Sequence, residues 1–132
     1  MTGVEVMRNS DSRGENRALP PLRGPYSPFL VWEKMVFVSG LLAVKSDGHE
    51  VKGDIREEAM VVLRNLEAAL REAGSGLDRL LMVYVYLKDI GELPAFNEVY
   101  EEMIPRPFPA RSVAGVDLPG GFRVELSAIA HL

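Results

Sequence analysis

The chain contains no cysteine, which excludes a disulfide framework, a thiolate metal site and a cysteine nucleophile, and fits a reducing compartment. Histidine is nearly as scarce. His49 lies in a polar loop and His131 at the end of the chain, with no ligand spacing between them, so metal chemistry is set aside. No run of Lys or Arg is present, and the formal net charge is -4 with a pI near 5.2. The sequence-independent attraction to phosphate on which nucleic-acid binders depend is therefore missing, and no nucleic-acid partner is expected. No apolar stretch approaches the roughly 18 residues that a membrane span requires. The opening stretch MTGVEVMRNSDSRGENRALP also lacks the apolar core of a signal peptide. The expected location is the cytoplasm, away from membranes.

What remains is an ordinary globular composition, 132 residues with 47% hydrophobic and 26% charged side chains. That length supports one core and is too short for two, so a single domain is expected. Residues 1–23 are polar, proline-bearing and without sustained period, which suggests a flexible arm ahead of a domain over 24–132. FLVWEKMVFVSGLLAV has two apolar runs, Phe29 to Trp32 and Met35 to Leu42, split by Glu33-Lys34, and reads as a short hairpin. Next, Ile55, Ala59, Val62, Leu63, Leu66, Ala69, Leu70 and Ala73 recur at helical spacing, with Arg56, Glu57, Glu58, Arg64, Glu67, Arg71 and Glu72 mostly opposite. Asp54 is placed to cap this helix and Gly74 to end it.

LLMVYVYLKDI reads as a strand apolar on both faces, and LPAFNEVYEEMI as a second helix that turns Phe96, Val99, Tyr100 and Met103 to one side. Two further strands, about 111–117 and 122–131, are joined by the glycine turn LPGG. The order is ββαβαββ, an α+β domain with two helices on one face of a sheet. Because the strands are apolar on both sides, the second face needs its own cover, most simply another copy of the chain.

Few residues in these elements suggest chemistry. The glycine groups GSG (74–76) and PGG (119–121) match no phosphate-binding or dinucleotide loop and fall where a helix ends and strands turn. Ser39 and Ser112 have neither a nucleophile-elbow motif nor a nearby histidine to act as base. Tyr26, in GPYSP, reads first as a loop anchor. Arg111 and Glu125 are harder to dismiss. Alternation puts Phe122, Val124, Leu126, Ala128 and Ala130 on one face of the last strand, and Arg123, Glu125, Ser127, Ile129 and His131 on the other. A carboxylate under a covered second face needs a donor or a water, whereas an arginine at a strand start is commonly just a solvated or ion-paired surface group.

The segment FPARSVAGVDLPGGFRVELSAIA resembles the C-terminal signature of the RidA (YjgF) family of enamine/imine deaminases, in which a pattern close to P-x-R-S is followed by L-P and V-E-x-x-x-I-A. The likeness extends upstream through GPYS (24–27), VSG (38–40), VYLKDI (85–90) and FNEVYEE (96–102), in the family's order. It differs at Leu41, where many members have glutamine, and at Ser127, where a second acidic residue is common. The stretch between Arg111 and Leu118 is also one residue shorter.

The resemblance implies a chorismate-mutase-like homotrimer with its sheets turned inward and its active sites in the clefts between subunits. It implies hydrolysis of 2-imino acids such as 2-iminopropanoate, formed from 2-aminoacrylate, to 2-oxo acids and ammonia, with no cofactor. Arg111 would clamp the substrate carboxylate and Glu125 would order or activate water. Tyr26 and Ser39 would line the pocket, Asn97 would support its architecture, and the Val113 carbonyl would hold the substrate nitrogen. Two rivals stand beside this reading: a non-catalytic trimer that binds a small carboxylate, and an RNA-directed ribonuclease or translation inhibitor.

Overall fold

Asp54 nucleates the longest element. Its Oδ1 accepts the Glu57 backbone N–H at 2.9 Å while the Glu57 carboxylate accepts the Asp54 N–H, a reciprocal capping box that satisfies two otherwise orphaned donors. Helix α1 (Ile55–Ala73) runs from there to Gly74, whose φ of 92° closes the C-terminus in the left-handed region. In the computed structural model, the described residues are 19–132 together with the backbone of Val6 and Met7. Most of the arm expected over 1–23, residues 1–5 and 8–18, lies outside the described residues.

Among the described residues the sheet has six strands, β1 (Val6–Met7), β2 (Phe29–Trp32), β3 (Met35–Leu41), β4 (Leu80–Leu87), β5 (Ala110–Gly115) and β6 (Val124–His131), in the order β1-β2-β3-β6-β4-β5. The order ββαβαββ omits β1, because two residues are too short to show any period. The β2–β3 hairpin forms as expected, turned by Glu33-Lys34. Helix α2 (Leu93–Met103), with Pro94 in its first turn, connects β4 to β5, and such a crossover makes that pair parallel.

The turn at 118–121 does not make a hairpin. β6 passes β5 and pairs antiparallel with both β3 and β4, so β4 separates the two strands that the turn connects. Gly120 and Gly121, at φ 69° and 79°, reverse the chain without setting which strand it joins. The edge of β4 not taken by β5 decides that.

Both helices lie against one face. Val36, Val38, Val83, Val85, Val124, Leu126, Ala128 and Ala130 are buried there with Leu63, Leu66 and Leu70 of α1 and Phe96 of α2. Glu58 is a departure from the expected polar face of α1: it is fully buried, with one oxygen accepting the Arg123 backbone N–H at 2.8 Å and the other without a hydrogen-bond partner among the described residues. Asn65 is buried too, donating to the carbonyls of Leu42 and Val44 and so tying the segment after β3 to the helix. On the opposite face, register aligns Leu30, Phe37, Ile129 and Met82 in one row across β2, β3, β6 and β4. Phe37 is 39% exposed and Trp32 43%, so this apolar face has no cover from the chain's own described elements.

Candidate active site

Arg111, the second residue of β5, lies beside Val83 in the parallel register and therefore shares the helix-facing side of the sheet. There α2 receives it. Asn97 and Tyr100, one helical turn apart, both touch the guanidinium: Arg111 Nη1 donates to Asn97 Oδ1 at 2.8 Å, and Cζ sits 4.8 Å from the centre of the Tyr100 ring. Tyr100 is 5% exposed and is held by Phe96 and Phe108, with ring centres 5.7 and 6.4 Å away. No carboxylate pairs with Arg111 among the described residues. Glu101, which lines the same cavity of about 370 Å³ with Phe108 and Pro109, is occupied by Arg106 at 3.0 Å. The result is a half-buried fork with unused donors beside an aromatic wall, the arrangement that grips a planar carboxylate.

Glu125 sits opposite Tyr86 on β6 and points to the other face of the sheet. Here the backbone of β3 gives way. Between Val38 and Leu41 the register with β6 shifts, and the bulge brings Ser39 and Gly40 next to Glu125. A Cβ on Gly40 would lie 2.5 Å from Glu125 Oε2, so the carboxylate rests where only a glycine leaves room. Burial pushes the Glu125 carboxyl above the usual carboxylate range, and no donor pairs with it among the described residues. A carboxylate in that state is a stronger base than a solvated one and suits holding and deprotonating a water.

Tyr26 and Ser39 line the same cavity of about 380 Å³ as Glu125. Ser39 Oγ donates to the Ser27 carbonyl at 2.6 Å, which commits its proton to fixing the loop before β2. Tyr26 is 45% exposed, and its hydroxyl accepts the Arg23 backbone N–H at 3.5 Å.

The residues singled out in the sequence thus fall into two groups. Arg111 and Asn97 meet on the helix side, while Glu125, Tyr26 and Ser39 meet on the other side, and within one chain neither group lines the other's cavity. Val113, two residues beyond Arg111 and half-buried against the core, lines neither of these two cavities. Three contributors were missed by the sequence reading. Tyr100 was assigned only to the apolar side of its helix, although its place one turn after Asn97 was visible in FNEVYEE. Phe108 opens the quoted FPARS stretch but lies outside its P-x-R-S pattern, and the need for Gly40 arises from a cross-strand approach that no local pattern encodes.

The family model described as Endoribonuclease L-PSP matches residues 16–132. Among curated proteins, the mitochondrial protein mmf2 of Schizosaccharomyces pombe is 42% identical over 111 residues, 81% of this chain and 87% of that one. The 2-iminobutanoate/2-iminopropanoate deaminase of Homo sapiens is 34% identical over 113 residues, 84% of this chain and 82% of its own length. Among solved structures, E. coli TdcF with bound serine superposes with a TM-score of 0.84 at 29% identity, covering 89% of this chain and 96% of that one. These likenesses bear out the resemblance carried by the PARS and VELSAIA segments, and the chain belongs to the Endoribonuclease L-PSP family.

Proposed function

We propose that this protein is a deaminase that hydrolyses reactive 2-enamine/2-imino acids, such as 2-aminoacrylate/2-iminopropanoate, to 2-oxo acids and ammonia. We further propose that it works as a homotrimer with each active site assembled between two subunits. One observation carries this reading: among the described residues, an arginine without a carboxylate and a half-buried carboxylate without a donor lie on opposite faces of one sheet, each beside its own cavity. Each half has what the other lacks. The uncovered apolar row of Leu30, Phe37, Ile129 and Met82 is the surface on which another copy would pack, bringing the Glu125 half of one subunit to the Arg111 half of the next.

In the joined site Arg111 holds the substrate carboxylate through paired N–H donors, fixing the imine carbon. The 2-enamine first takes a proton at its terminal carbon to become the imine. Water held by Glu125 then adds its oxygen to the imine carbon as the carboxylate takes the water proton, and the imine nitrogen is protonated to give a carbinolamine. The C–N bond breaks, ammonia leaves, and the hydroxyl becomes the ketone of the 2-oxo acid. Tyr26, Ser39 and Asn97 shape the pocket, and the Val113 carbonyl accepts a hydrogen bond from the substrate nitrogen. As written, the reaction consumes only water and requires no cofactor.

The assay generates 2-iminopropanoate in place with an amino-acid oxidase and traps the surviving imine with semicarbazide. Wild type should suppress trapping. Arg111→Ala should lose about a hundredfold in kcat/KM, the scale of two charge-assisted hydrogen bonds. Wild type should also lose kcat as pH falls through the raised Glu125 pKa, and Glu125→Gln should abolish that limb along with most of the activity. Unchanged trapping by folded wild type would sink the reading.

A second reading is a trimer that binds a small carboxylate without turnover. The bound serine of TdcF and the carboxylate-ready fork of Arg111 favour it. It would need Arg111 but not Glu125, so Glu125→Gln would leave its binding intact. An RNA-directed activity fits poorly with a net charge of -4. No helix among the described residues is long and apolar enough to cross a membrane, and we place the protein in the cytoplasm, which fractionation checks against the mitochondrial location in the name of mmf2.

A further inference from the structure

The cavity at Glu125 is larger and more apolar than hydrolysis of a small imine requires. At about 380 Å³ it falls within the roughly 300–1,000 Å³ of small-molecule sites. A substrate whose side chain is one methyl group would leave most of it unfilled. Besides Glu125, its lining includes Leu19, Pro21, Leu22, Leu42 and Val44. Leu19 and Val44 are also members of the buried core, so the floor of the cavity is fixed.

The one cation that lines it among the described residues is already used. Arg23, at the rim, is bound to Glu50 at 2.6 Å, and Lys52 reaches the other oxygen of Glu50 at 3.1 Å. Nothing in the cavity is left to receive a second carboxylate, and Glu125 itself repels one. A basic side chain would gain only the carboxylate that the chemistry needs free.

We infer that the wall formed by Leu19, Pro21, Leu22, Leu42 and Val44 is a subsite for the substrate's side chain, and that the preferred substrates are 2-imino acids with bulky apolar side chains, such as those formed from leucine, methionine or phenylalanine. This rests on the reading of the chain as an imine hydrolase. With Arg111 of a neighbouring copy on the carboxylate and the Glu125 water at the imine carbon, the side chain is the part of the molecule left to meet the apolar lining of the cavity. Each added methylene buried there favours the larger substrate in the transition state.

The test compares 2-imino-4-methylpentanoate, made in place by the oxidase from leucine, with 2-iminopropanoate made from alanine, each normalised to oxidase flux. Wild type should show kcat/KM at least roughly tenfold higher for the larger imine, the discrimination that a few methylenes give in an apolar pocket. Leu22 is 40% exposed, so its replacement spares the core. Leu22→Asp should lower the ratio of the two kcat/KM values about tenfold by placing a charge on the wall, and Leu22→Phe should lower it by filling the space. A wild-type ratio at or below one, or a ratio that neither variant changes, overturns the subsite.

Calorimetric binding of 2-oxo-4-methylpentanoate against 2-oxopropanoate separates this failure from failure of the imine-hydrolase reading. If neither imine is hydrolysed but the larger oxo acid binds more tightly and Leu22→Asp removes the difference, the subsite stands without the chemistry. If neither imine is hydrolysed and the two oxo acids bind alike, both ideas fall.

Discussion

Glu125 depends on Gly40 more than on any group that bonds to it. Gly40→Ala would place a methyl carbon 2.5 Å from Oε2, at the far end of a side chain that can rotate away, so the fold should tolerate the change while the carboxylate moves. The expected outcome is a melting temperature close to wild type with kcat reduced at least roughly tenfold, the cost of displacing a reacting group. Equal losses of stability and activity would assign Gly40 to the fold alone.

Arg111 has a comparable dependence on Tyr100, whose ring lies under the guanidinium. Tyr100→Leu removes a cation–π contact of about 0.5–2 kcal/mol and should raise KM from a few-fold to about thirtyfold with less change in kcat. Tyr100→Phe keeps the ring and should restore KM. These two supports separate what the sequence displays from what it conceals. The charged pair is conspicuous in an apolar strand context, whereas the supports are a glycine and a helix aromatic whose roles exist only after folding.

Among the elements, α1 carries the group most exposed to pH. Glu58 is fully buried, and burial raises its carboxyl pKa above 4.5 despite the Arg123 and Val124 backbone N–H groups that favour its ionised form. Its folded pKa thus exceeds its unfolded value, and between the two the folded chain binds more protons. Stability therefore falls as pH rises from the ordinary carboxylate value to the raised one, and levels off above it. Glu58→Gln keeps an acceptor for the Arg123 N–H and cannot ionise. Its melting temperature relative to wild type should rise across that window as pH increases, followed by thermal unfolding at a series of pH values, and a pH-independent difference would contradict the account.

Element assignment itself was largely legible. The heptad-like spacing of α1, its Asp54 and Gly74 ends, the β2–β3 hairpin and the alternation in β6 all appear where the residues put them. The place of β6 was not legible, because the local turn signal at Pro119-Gly120-Gly121 reports a reversal and not a partner.

At the level of the whole molecule, the same alternation that sends Val124, Leu126, Ala128 and Ala130 inward sends Glu125 to the uncovered side. The parallel crossover through α2 sends Arg111 to the covered one. A single chain consequently keeps Arg111 and Glu125 apart, each beside its own cavity. The sequence announced both residues, but their separation by a sheet follows from strand order, which local pattern could not supply.

Mixing Arg111→Ala subunits with Glu125→Gln subunits tests the central claim most directly. Unfolded together in equal amounts and refolded, they should regain about a quarter of wild-type imine hydrolysis, the chance that one interface of a cyclic trimer joins an intact half from each. Mixed assemblies no more active than the average of the two variants alone would contradict a site shared between copies.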